Sequence, residues 1–478
     1  MLALTENIFR SFNENKVIYC NWKGTSKIEE GLEGVSDIDV LMSDKDNILA
    51  SQLLERAGFI KAKTQWIYRF KGIEDWIGMD KSTGKLIHIH LHYRMIVGHP
   101  CTMEHSLPWK DEVLSSRILL PNGIYTVSPE WEMLVFLVRI GVEYPNKKIG
   151  SDGLLKDSAL DEFHYLQGQI ERVALEQIIT NRFPSVASEI ITITKKEILD
   201  KSDIAQLRKA SSKTLRVNAI SNVLYKLISS LKARVDVRMP QWMRRMFGVQ
   251  NKKTIPSGGK VISFLGQDGS GKSTVTADIE KWLQWKLDVR RFYLGSGEEF
   301  YNPWRHRLLK KLNKKTDPLS KGVRSWLYFS DLLASSKYVL KTTRAAKRYA
   351  EWGGIALLDR FPQIQYPGIN DGPKIRAELF DRVPGKLKWI AECYAKLEEH
   401  NIEKAVRMTP DIVIKLMLSP EESLRRKPFE NKELVERKHK IIENLSFDKS
   451  HVVVIDAEQN YEREIIQIKN IVWNNIRE

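Results

Sequence analysis

Eight residues in the second half of the chain combine glycines, a lysine and a serine at a spacing that can bind phosphate. This phosphate-binding loop, residues 266–273, reads GQDGSGKS and fits the pattern G-x-x-x-x-G-K-[ST] without a mismatch. Glycines let the backbone turn its amides towards phosphate oxygens, and the helix that follows directs its positive end at them. Lys272 adds a charge at the β- and γ-phosphates of ATP, and Ser273 offers a hydroxyl to Mg²⁺. The predicted nucleotide-binding residues are Gly266, Asp268, Gly269, Ser270, Gly271, Lys272, Ser273 and Thr274.

A second candidate pair follows an apolar run further along the chain. The run "GGIALLDRFP" predicts a buried strand that ends at Asp359 and Arg360. A carboxylate at the C-terminal edge of such a strand can hold the water shell of a metal or orient an acceptor hydroxyl. The arginine beside it can clamp an anionic group. The alternative interpretation is a buried ion pair that closes the strand.

Two aspartates near the N-terminus form a separate candidate site. Asp37 and Asp39 in "SDIDVLMS" alternate along a predicted strand, so both carboxylates point to one face. Two like charges side by side are unfavourable unless cations hold them, which is typical of metal ions on the phosphates of a nucleotide. A turn at Gly24 and Thr25 precedes them.

Three histidines alternate along a later strand, "LIHIHLHYR", and therefore share a face. If His88, His90 and His92 lie on the Asp37 face, Asp37 and Asp39 with one histidine form a set suited to Mn²⁺ or another transition metal. The same histidines also fit an ordinary core.

The elements that must position these residues change in character along the chain. Residues 1–127 mix short strands and helices, residues 128–235 read as helices, and residues 236–259 form a basic linker rich in proline and glycine. From residue 260 to 478 strands alternate with helices, which predicts a parallel sheet covered on both faces. The predicted fold class is therefore α/β in two modules.

Residues 260–478 resemble the thymidylate kinase family of P-loop kinases. The resemblance rests on "GQDGSGKST", "LLDRF", "PDIVIKLMLSPEESLRRK" and "VVVIDA", in that order. It implies that Lys272 and Ser273 serve ATP and magnesium, and that Asp268 faces the sugar of the acceptor. The residues it implies for the acceptor and for a basic lid are Asp359, Arg360, Arg425, Arg426 and Lys427.

Two segments depart from that family. The chain has "RRFYLGSGEEFYNPW" where the family has Arg-Glu-Pro-Gly-Gly-Thr, and it has Lys337 and Tyr338 where the family has an arginine on the acceptor-side helix. The acceptor therefore stays open between a nucleoside monophosphate, a sugar, a polyol and another small alcohol or phosphate.

The N-terminal residues resemble the nucleotidyltransferase superfamily, in which a Gly-Ser turn is followed by Asp-x-Asp. The resemblance covers about residues 15–100 and implies that Gly24 and Thr25 contact a nucleotide, with Asp37 and Asp39 on the metal. His90 falls where the superfamily usually has a third acid. An active transferase, a domain that has kept only binding, and plain core histidines all remain open.

Composition bounds the other predictions. The chain of 478 residues has a formal charge of +16 and a pI of about 9.4, which favours anionic partners. Its three cysteines are too few and too scattered for a disulfide framework. Without a signal-peptide pattern or a long apolar run, we expect a cytoplasmic protein. No stacking motif indicates nucleic acid, while the basic linker can contact an anionic membrane surface.

The sequence thus predicts an ATP-dependent phosphotransferase for a small acceptor, fused to a nucleotidyltransferase-like domain. The fusion suggests successive steps on one metabolite, for example in surface-polysaccharide precursor metabolism. The alternative is a nucleotide-dependent switch or defence effector in which hydrolysis gates the N-terminal domain. A kinase of polynucleotide ends is a third interpretation. The oligomeric state is not predicted.

Overall fold

The computed structural model divides the chain into two compact units, Met1–Lys253 and Thr254–Glu478. It describes residues 1–65, 68–98, 103–143, 153–217, 227, 231, 252–295, 321–382, 385 and 388–478. Most of the predicted basic linker lies outside the described residues, and the predicted membrane contact lies there with it. The predicted domain boundaries after residues 127, 235 and 259 stay predictions.

The first unit contains a seven-stranded mixed sheet. Its strands are β1 (Tyr19–Asn21), β2 (Asp37–Met42), β3 (Ile60–Ala62), β4 (Ile73–Met79), β5 (Leu86–His92), β8 (Ile118–Leu119) and β9 (Tyr125–Thr126). The spatial order is β3-β4-β5-β2-β1-β9-β8, in which β2 runs parallel to β5 and β4 runs antiparallel to it. A small second sheet joins β6 (Ile96–Val97), β7 (His105–Ser106) and β10 (Arg216–Val217).

Nine α-helices belong to the described part of the first unit. They are α1 (Ala3–Glu14), α2 (Ile28–Leu32), α3 (Asn47–Ala57), α4 (Lys110–Ser115), α5 (Pro129–Val142), α6 (Asp157–Gln167), α7 (Arg172–Arg182), α8 (Ala187–Thr194) and α9 (Lys201–Thr214). Side chains of α5 are buried on almost every face, and they share one core with Trp22 and Leu41 of the strand-rich part. The helices from α5 onward therefore pack on the N-terminal sheet through a continuous core.

The second unit is a parallel sheet with helices, as the alternation of strands and helices predicts. Its strands are β11 (Val261–Gly266), β12 (Val289–Phe292), β13 (Ile355–Leu358), β14 (Ile412–Met417) and β15 (His451–Asp456), in the order β12-β13-β11-β14-β15 with every neighbouring pair parallel. The apolar runs that predicted β11, β13 and β14 are buried. A strand buried on both faces needs this continuous apolar character.

Six α-helices accompany this sheet in the described residues. They are α10 (Lys272–Leu283), α11 (Lys321–Glu351), α12 (Lys388–Val406), α13 (Pro420–Arg426), α14 (Lys432–Asn444) and α15 (Tyr461–Arg477). Ser419 caps α13 with its hydroxyl and Pro420 takes the first helical position, where its missing N–H costs nothing. Within the described ranges, no helix joins enough length to enough apolar character to cross a bilayer.

Candidate functional site

The phosphate-binding loop connects the end of β11 to the start of α10. Gly269 and Gly271 adopt φ angles of +86° and +82°, a region that side-chain-bearing residues rarely enter. The two glycines let the chain reverse over a few residues and begin the helix at Lys272. Ser270, also predicted to bind nucleotide, is buried, and its hydroxyl has no hydrogen-bond partner among the described residues. A buried donor of this kind suits a phosphate oxygen.

Lys272 is held by the loop itself. Its Nζ donates hydrogen bonds of 2.7 Å to the carbonyls of Gly266 and Gln267. Burial lowers the pKa of Lys272 to about 8, and Arg360 pushes in the same direction while Asp268 opposes it. The ammonium group thus lies at the centre of the loop in a poorly solvated position, where an anionic ligand gains most from it.

A cleft of about 320 Å³ opens beside the loop. It brings together predicted residues from the loop and from the end of β13, with two further lysines that the sequence did not single out. Its charged lining includes Asp268, Lys272, Asp359, Arg360, Lys374 and Lys438. The volume falls within the range of small-molecule pockets, and the cationic groups favour an anionic occupant.

Asp359 and Arg360 follow β13 directly, as predicted, and their side chains have different partners. The backbone amide of Leu294 donates to Asp359 Oδ1 at 3.3 Å, and burial raises the pKa of the carboxyl group. Arg360 Nη1 lies 3.6 Å from Asp371 Oδ1. Arg360 therefore pairs with Asp371. The choice between a catalytic pair and a buried ion pair that closes the strand stays a prediction.

The loop after β13 is shaped by two residues with positive φ angles. Asn370 and Asp371 have φ angles of +45° and +63°, which is uncommon for residues other than glycine. This backbone brings the Asp371 carboxylate to Arg360 at the edge of the cleft. Strained backbone of this kind clusters at functional sites. No pattern in the sequence indicated it.

Asp268 contacts a helix rather than standing free. Lys438 Nζ of α14 donates to Asp268 Oδ2 at 2.6 Å. Burial alone would raise the pKa of Asp268, but the hydrogen bond and charge of Lys438 hold it below its usual value. The pair joins the phosphate-binding loop to α14 across one side of the cleft.

The two arginines predicted to begin a lid differ in position. Arg426 donates to the carbonyls of Gly269 and Ala457 at 3.1 Å each, so it supports the loop backbone from outside the cleft. Arg425 forms an ion pair with Glu422 at 2.5 Å and its side chain is 75% exposed. Neither side chain belongs to the described lining of the cleft. Their predicted catalytic role stays a prediction.

The two residues of α11 that stand where the family has an arginine, Lys337 and Tyr338, are not part of the described lining of the cleft. Tyr338 Oη donates to the carbonyl of Tyr293 at 3.3 Å, and Lys337 is exposed. Most of the divergent segment from Arg290 to Trp304 lies outside the described residues.

In the first unit, strand register places the predicted aspartates and histidines side by side. The parallel pairing of β2 with β5 sets Asp37 opposite His88 and Asp39 opposite His90. The antiparallel pairing of β4 with β5 sets Asp75 opposite His90. We name this group the Asp–His cluster, and its members are Asp37, Asp39, Asp75, His88, His90 and His92.

Asp75 is the member that sequence analysis missed. Its Oδ1 lies 2.9 Å from His88 Nε2 and 2.8 Å from His90 Nε2, so one oxygen contacts both imidazoles. Its strand reads "IEDWIGM" without an alternating acidic pattern, so only the pairing of β4 with β5 reveals it.

The remaining distances link the cluster to β2. His88 Nδ1 lies 2.9 Å from Asp37 Oδ1, His90 Nδ1 lies 3.4 Å from Asp39 Oδ1, and His92 Nε2 lies 3.0 Å from the same Asp39 oxygen. Lys23 Nζ also reaches that oxygen at 3.2 Å. His88 and His92 are buried, whereas His90 is 28% exposed.

Burial and charge act in opposite directions on these groups. Burial would raise the pKa of Asp39, but Lys23 and the histidines hold it well below the usual range. Burial would also raise the pKa of Asp75, but His88, His90 and Lys253 hold it well below that range. Burial would lower the pKa of His90, but hydrogen bonds to the two carboxylates raise it to about 9. Burial lowers the pKa of His92 to about 4. The cluster thus concentrates carboxylates that stay ionised.

The predicted nucleotide turn is fixed by a carboxylate from α5. Gly24 has a φ angle of +70°, and the amide of Thr25 donates to Glu132 Oε1 at 2.8 Å. The hydroxyls of Thr25 and Thr126 share a hydrogen bond of 2.7 Å. Burial raises the pKa of Glu132 to about 7. The amide of the turn that was predicted to contact a nucleotide is therefore already hydrogen-bonded to a side chain of the protein. That side chain, Glu132, lies far from the turn in sequence.

The loop, the cleft and the parallel sheet are those of a protein that binds a phosphorylated ligand, and part of the chain is similar to ATP-binding proteins and nucleotide kinases. The "Uncharacterized ATP-binding protein YghR" of Escherichia coli strain K12 is 27% identical over 224 residues, which cover 44% of this chain and 86% of that protein. The "Probable thymidylate kinase 2" of Saccharolobus solfataricus is 24% identical over 231 residues, or 46% of this chain and 97% of that protein.

Comparison with solved structures gives only weak similarity. A deoxyadenosine kinase from M. mycoides, solved with bound dATP, is 19% identical with a TM-score of 0.28, covering 44% of this chain and 98% of that one. No protein-family model matches the chain. These similarities concern less than half of the chain.

Proposed function

We propose that the second unit transfers the γ-phosphoryl group of ATP to a small acceptor. The observation that carries the proposal is that Lys272 of the phosphate-binding loop and Asp359 and Arg360 of β13 line one cleft. Similarity to ATP-binding proteins and to a probable thymidylate kinase supports it. When bound, ATP supplies the phosphoryl group and Mg²⁺ neutralises part of its charge.

Each residue then has a physical role. The loop amides and Lys272 hold the phosphates, with Ser273 placed at the start of α10 for the metal. Asp359 orients the acceptor or the water shell of the metal, and Arg360 clamps an anionic group. An oxygen of the acceptor forms a bond to the γ-phosphorus, the bond to the bridging oxygen breaks, and ADP leaves. Phosphoryl transfer relies mainly on such positioning and charge.

The acceptor belongs to the classes that the sequence leaves open. A nucleoside monophosphate is consistent with the probable thymidylate kinase among the relatives. A sugar or polyol is the other candidate, and it fits a fusion of two enzymes that act in turn on one surface-polysaccharide precursor.

The proposal is tested with the purified full chain, Mg²⁺ and ATP labelled in its γ-phosphate. We expect label to move to one member of a panel of nucleoside monophosphates, sugars, polyols and oligonucleotides. Lys272→Ala removes the ammonium group of the loop and should lower transfer by at least 1000-fold. Lys281→Ala, an exposed lysine on the same helix, is the control. Label released only as free phosphate would instead favour a nucleotide-dependent switch or defence effector.

For the first unit we propose nucleotidyl transfer as a second activity. The observation in its favour is that Asp37 and Asp39 lie beside His90 on adjacent strands. Transfer of label from an α-labelled nucleoside triphosphate, in the presence of Mg²⁺ or Mn²⁺, tests it. Loss of that transfer in Asp37→Asn with Asp39→Asn would support the proposal, and an absence of transfer from all four common nucleotides would reject it.

A further inference from the structure

The Asp–His cluster contains two overlapping sets of atoms at metal-ligand spacing. Asp37, His88 and His90 form one set, and Asp39, His90 and His92 form the other, with all ligand atoms of a set within 4.8 Å of one another. Ligands about 2.0–2.2 Å from a common ion lie within such a distance of each other. His90 belongs to both sets, so the two share one ligand residue.

The types of ligand select a class of metal. Mg²⁺ and Ca²⁺ prefer oxygen ligands, whereas imidazole suits zinc, copper, iron and nickel. Three imidazoles accompany the carboxylates here. The combination of nitrogen and oxygen ligands is therefore that of a transition-metal site.

Asp75 gives the imidazoles one orientation. Because its Oδ1 contacts Nε2 of both His88 and His90, Nδ1 of each ring faces the carboxylates of β2. Those Nδ1 atoms lie 2.9 Å from Asp37 Oδ1 and 3.4 Å from Asp39 Oδ1. A carboxylate that accepts the far N–H of a histidine is the usual support of a metal ligand, because it fixes the tautomer and the ring.

The protein supplies all the ligand atoms of this cluster, so no nucleotide is needed to complete them. All the ligand atoms come from β2 and β5, and the amide of the Gly24–Thr25 turn is already committed to Glu132. Ionised carboxylates held together under partial burial gain from a dication. Lys23 supplies a positive charge at Asp39, and Lys253 supplies another at Asp75, 3.5 Å from its Oδ1.

We propose that the first unit binds one divalent transition-metal ion through Asp37, His88 and His90, without nucleotide, and that Asp75 is the positioning residue for both imidazoles. The inference is independent of the proposed kinase activity of the second unit. It also differs from a Mg²⁺ site formed together with a nucleotide, since the protein alone supplies the ligands and they favour a softer ion.

The test uses the full chain, stripped of metal with EDTA and titrated by calorimetry with Zn²⁺, Co²⁺ or Mg²⁺ in the absence of nucleotide. We expect one Zn²⁺ or Co²⁺ per chain, bound at least 100-fold more tightly than Mg²⁺, and a visible Co²⁺ spectrum typical of nitrogen and oxygen ligands. Zinc should also raise the melting temperature of the first unit.

Three variants make the outcome specific. His90→Ala should abolish binding, because His90 belongs to both ligand sets. Asp75→Asn should weaken binding by 10- to 100-fold and keep the stoichiometry, which is the range for loss of a supporting carboxylate. His164→Ala is the control, since His164 is an exposed histidine of the same unit whose Nε2 contacts the carbonyl of Glu197.

Two results would overturn the inference. Zinc binding of equal affinity in wild type and His90→Ala would place the metal elsewhere, and binding that appears only with a nucleoside triphosphate would make the nucleotide part of the site. Retained ATP binding by the second unit and an unchanged circular dichroism spectrum check that each variant is folded. Failure of phosphoryl transfer leaves these readouts unaffected.

Discussion

Glu132 is a buried carboxylate whose ionisation opposes folding of the first unit. Its pKa rises from an ordinary 4.5 to about 7 because α5 is buried on nearly all sides. Between these values the unfolded chain releases the proton while the folded chain keeps it. The contribution of Glu132 to stability therefore falls as the pH rises from 4.5 to 7 and stays low above that pH.

Glu132→Gln should remove this pH dependence while it retains an oxygen for the Thr25 amide. The unfolding free energy of the variant minus that of wild type should increase by about 2–3 kcal/mol from pH 5 to pH 8. Urea-dependent hydrogen exchange of peptides from the first unit measures this difference. Glu189→Gln, at an exposed position of α8, should give the same difference at both pH values. A gain independent of pH for Glu132→Gln would contradict the assignment.

Asp359 is the carboxylate on which the proposed phosphoryl transfer depends most. Asp359→Asn keeps the shape of the side chain but loses the charge that orients an acceptor or the water shell of a metal. We expect the turnover rate to fall by about 100-fold or more, with ATP affinity within a few-fold of wild type. Steady-state kinetics and calorimetry separate the two quantities.

Asp456 gives a matched control for that substitution. It also ends a strand of the same sheet, β15, but it is exposed and outside the described lining of the cleft. Asp456→Asn should leave turnover unchanged. Equal losses in both variants would point to a general effect on the sheet and against a role for Asp359 in the reaction.

Among the elements, α14 is held in place by a buried lysine of the central sheet. Lys415 of β14 donates to the carbonyls of Glu443 and Leu445 at 2.8 and 2.7 Å, where α14 ends. Burial lowers the pKa of Lys415. The same helix carries Lys438, which contacts Asp268 of the phosphate-binding loop. Lys415 therefore holds α14, which forms one wall of the cleft, against the central sheet.

Lys415→Met should loosen that helix, because two carbonyls lose their donor. We expect the second unit to lose about 1–3 kcal/mol of stability. Amide exchange in residues 432–444 should accelerate, as measured by mass spectrometry. Lys440→Ala, an exposed position of the same helix, should leave exchange near the wild-type rate. Unchanged protection of α14 in Lys415→Met would show that other contacts hold it.

The elements also show which parts of the structure the sequence could predict. The phosphate-binding loop, β11 and α10 follow from neighbouring residues, and the apolar runs predict the buried strands of the second unit. The contacts of Asp268 with Lys438, 170 positions away, and of Thr25 with Glu132, 107 positions away, have no such local signal. Asp75 likewise joins the histidines only through the pairing of β4 with β5. Local periodicity fixes elements, whereas side-chain partners depend on tertiary packing.

At the scale of the whole molecule, the two proposed interpretations differ in coupling between the units. A bifunctional enzyme needs no energetic link between its sites, whereas a switch requires that a ligand at one site changes the other. We expect Lys272→Ala to leave the zinc affinity of the first unit unchanged. We expect Asp37→Asn with Asp39→Asn to leave ATP turnover within twofold of wild type.

These measurements use the full chain in each case, with His164→Ala and Lys281→Ala as controls. A change of tenfold or more in the unmutated unit would correspond to about 1.4 kcal/mol of coupling and would favour the switch.

Lys272, which donates to the carbonyls of Gly266 and Gln267, should make nucleotide affinity depend on pH in the alkaline range. Since the pKa of Lys272 is about 8, its amine is increasingly neutral as the pH rises above that value. Binding of a triphosphate favours the charged ammonium form, so the complex takes up a hydrogen ion from the buffer. Calorimetry at pH 9 in buffers of different ionisation enthalpy should therefore report uptake approaching one hydrogen ion per ATP. At pH 7 the uptake should nearly vanish.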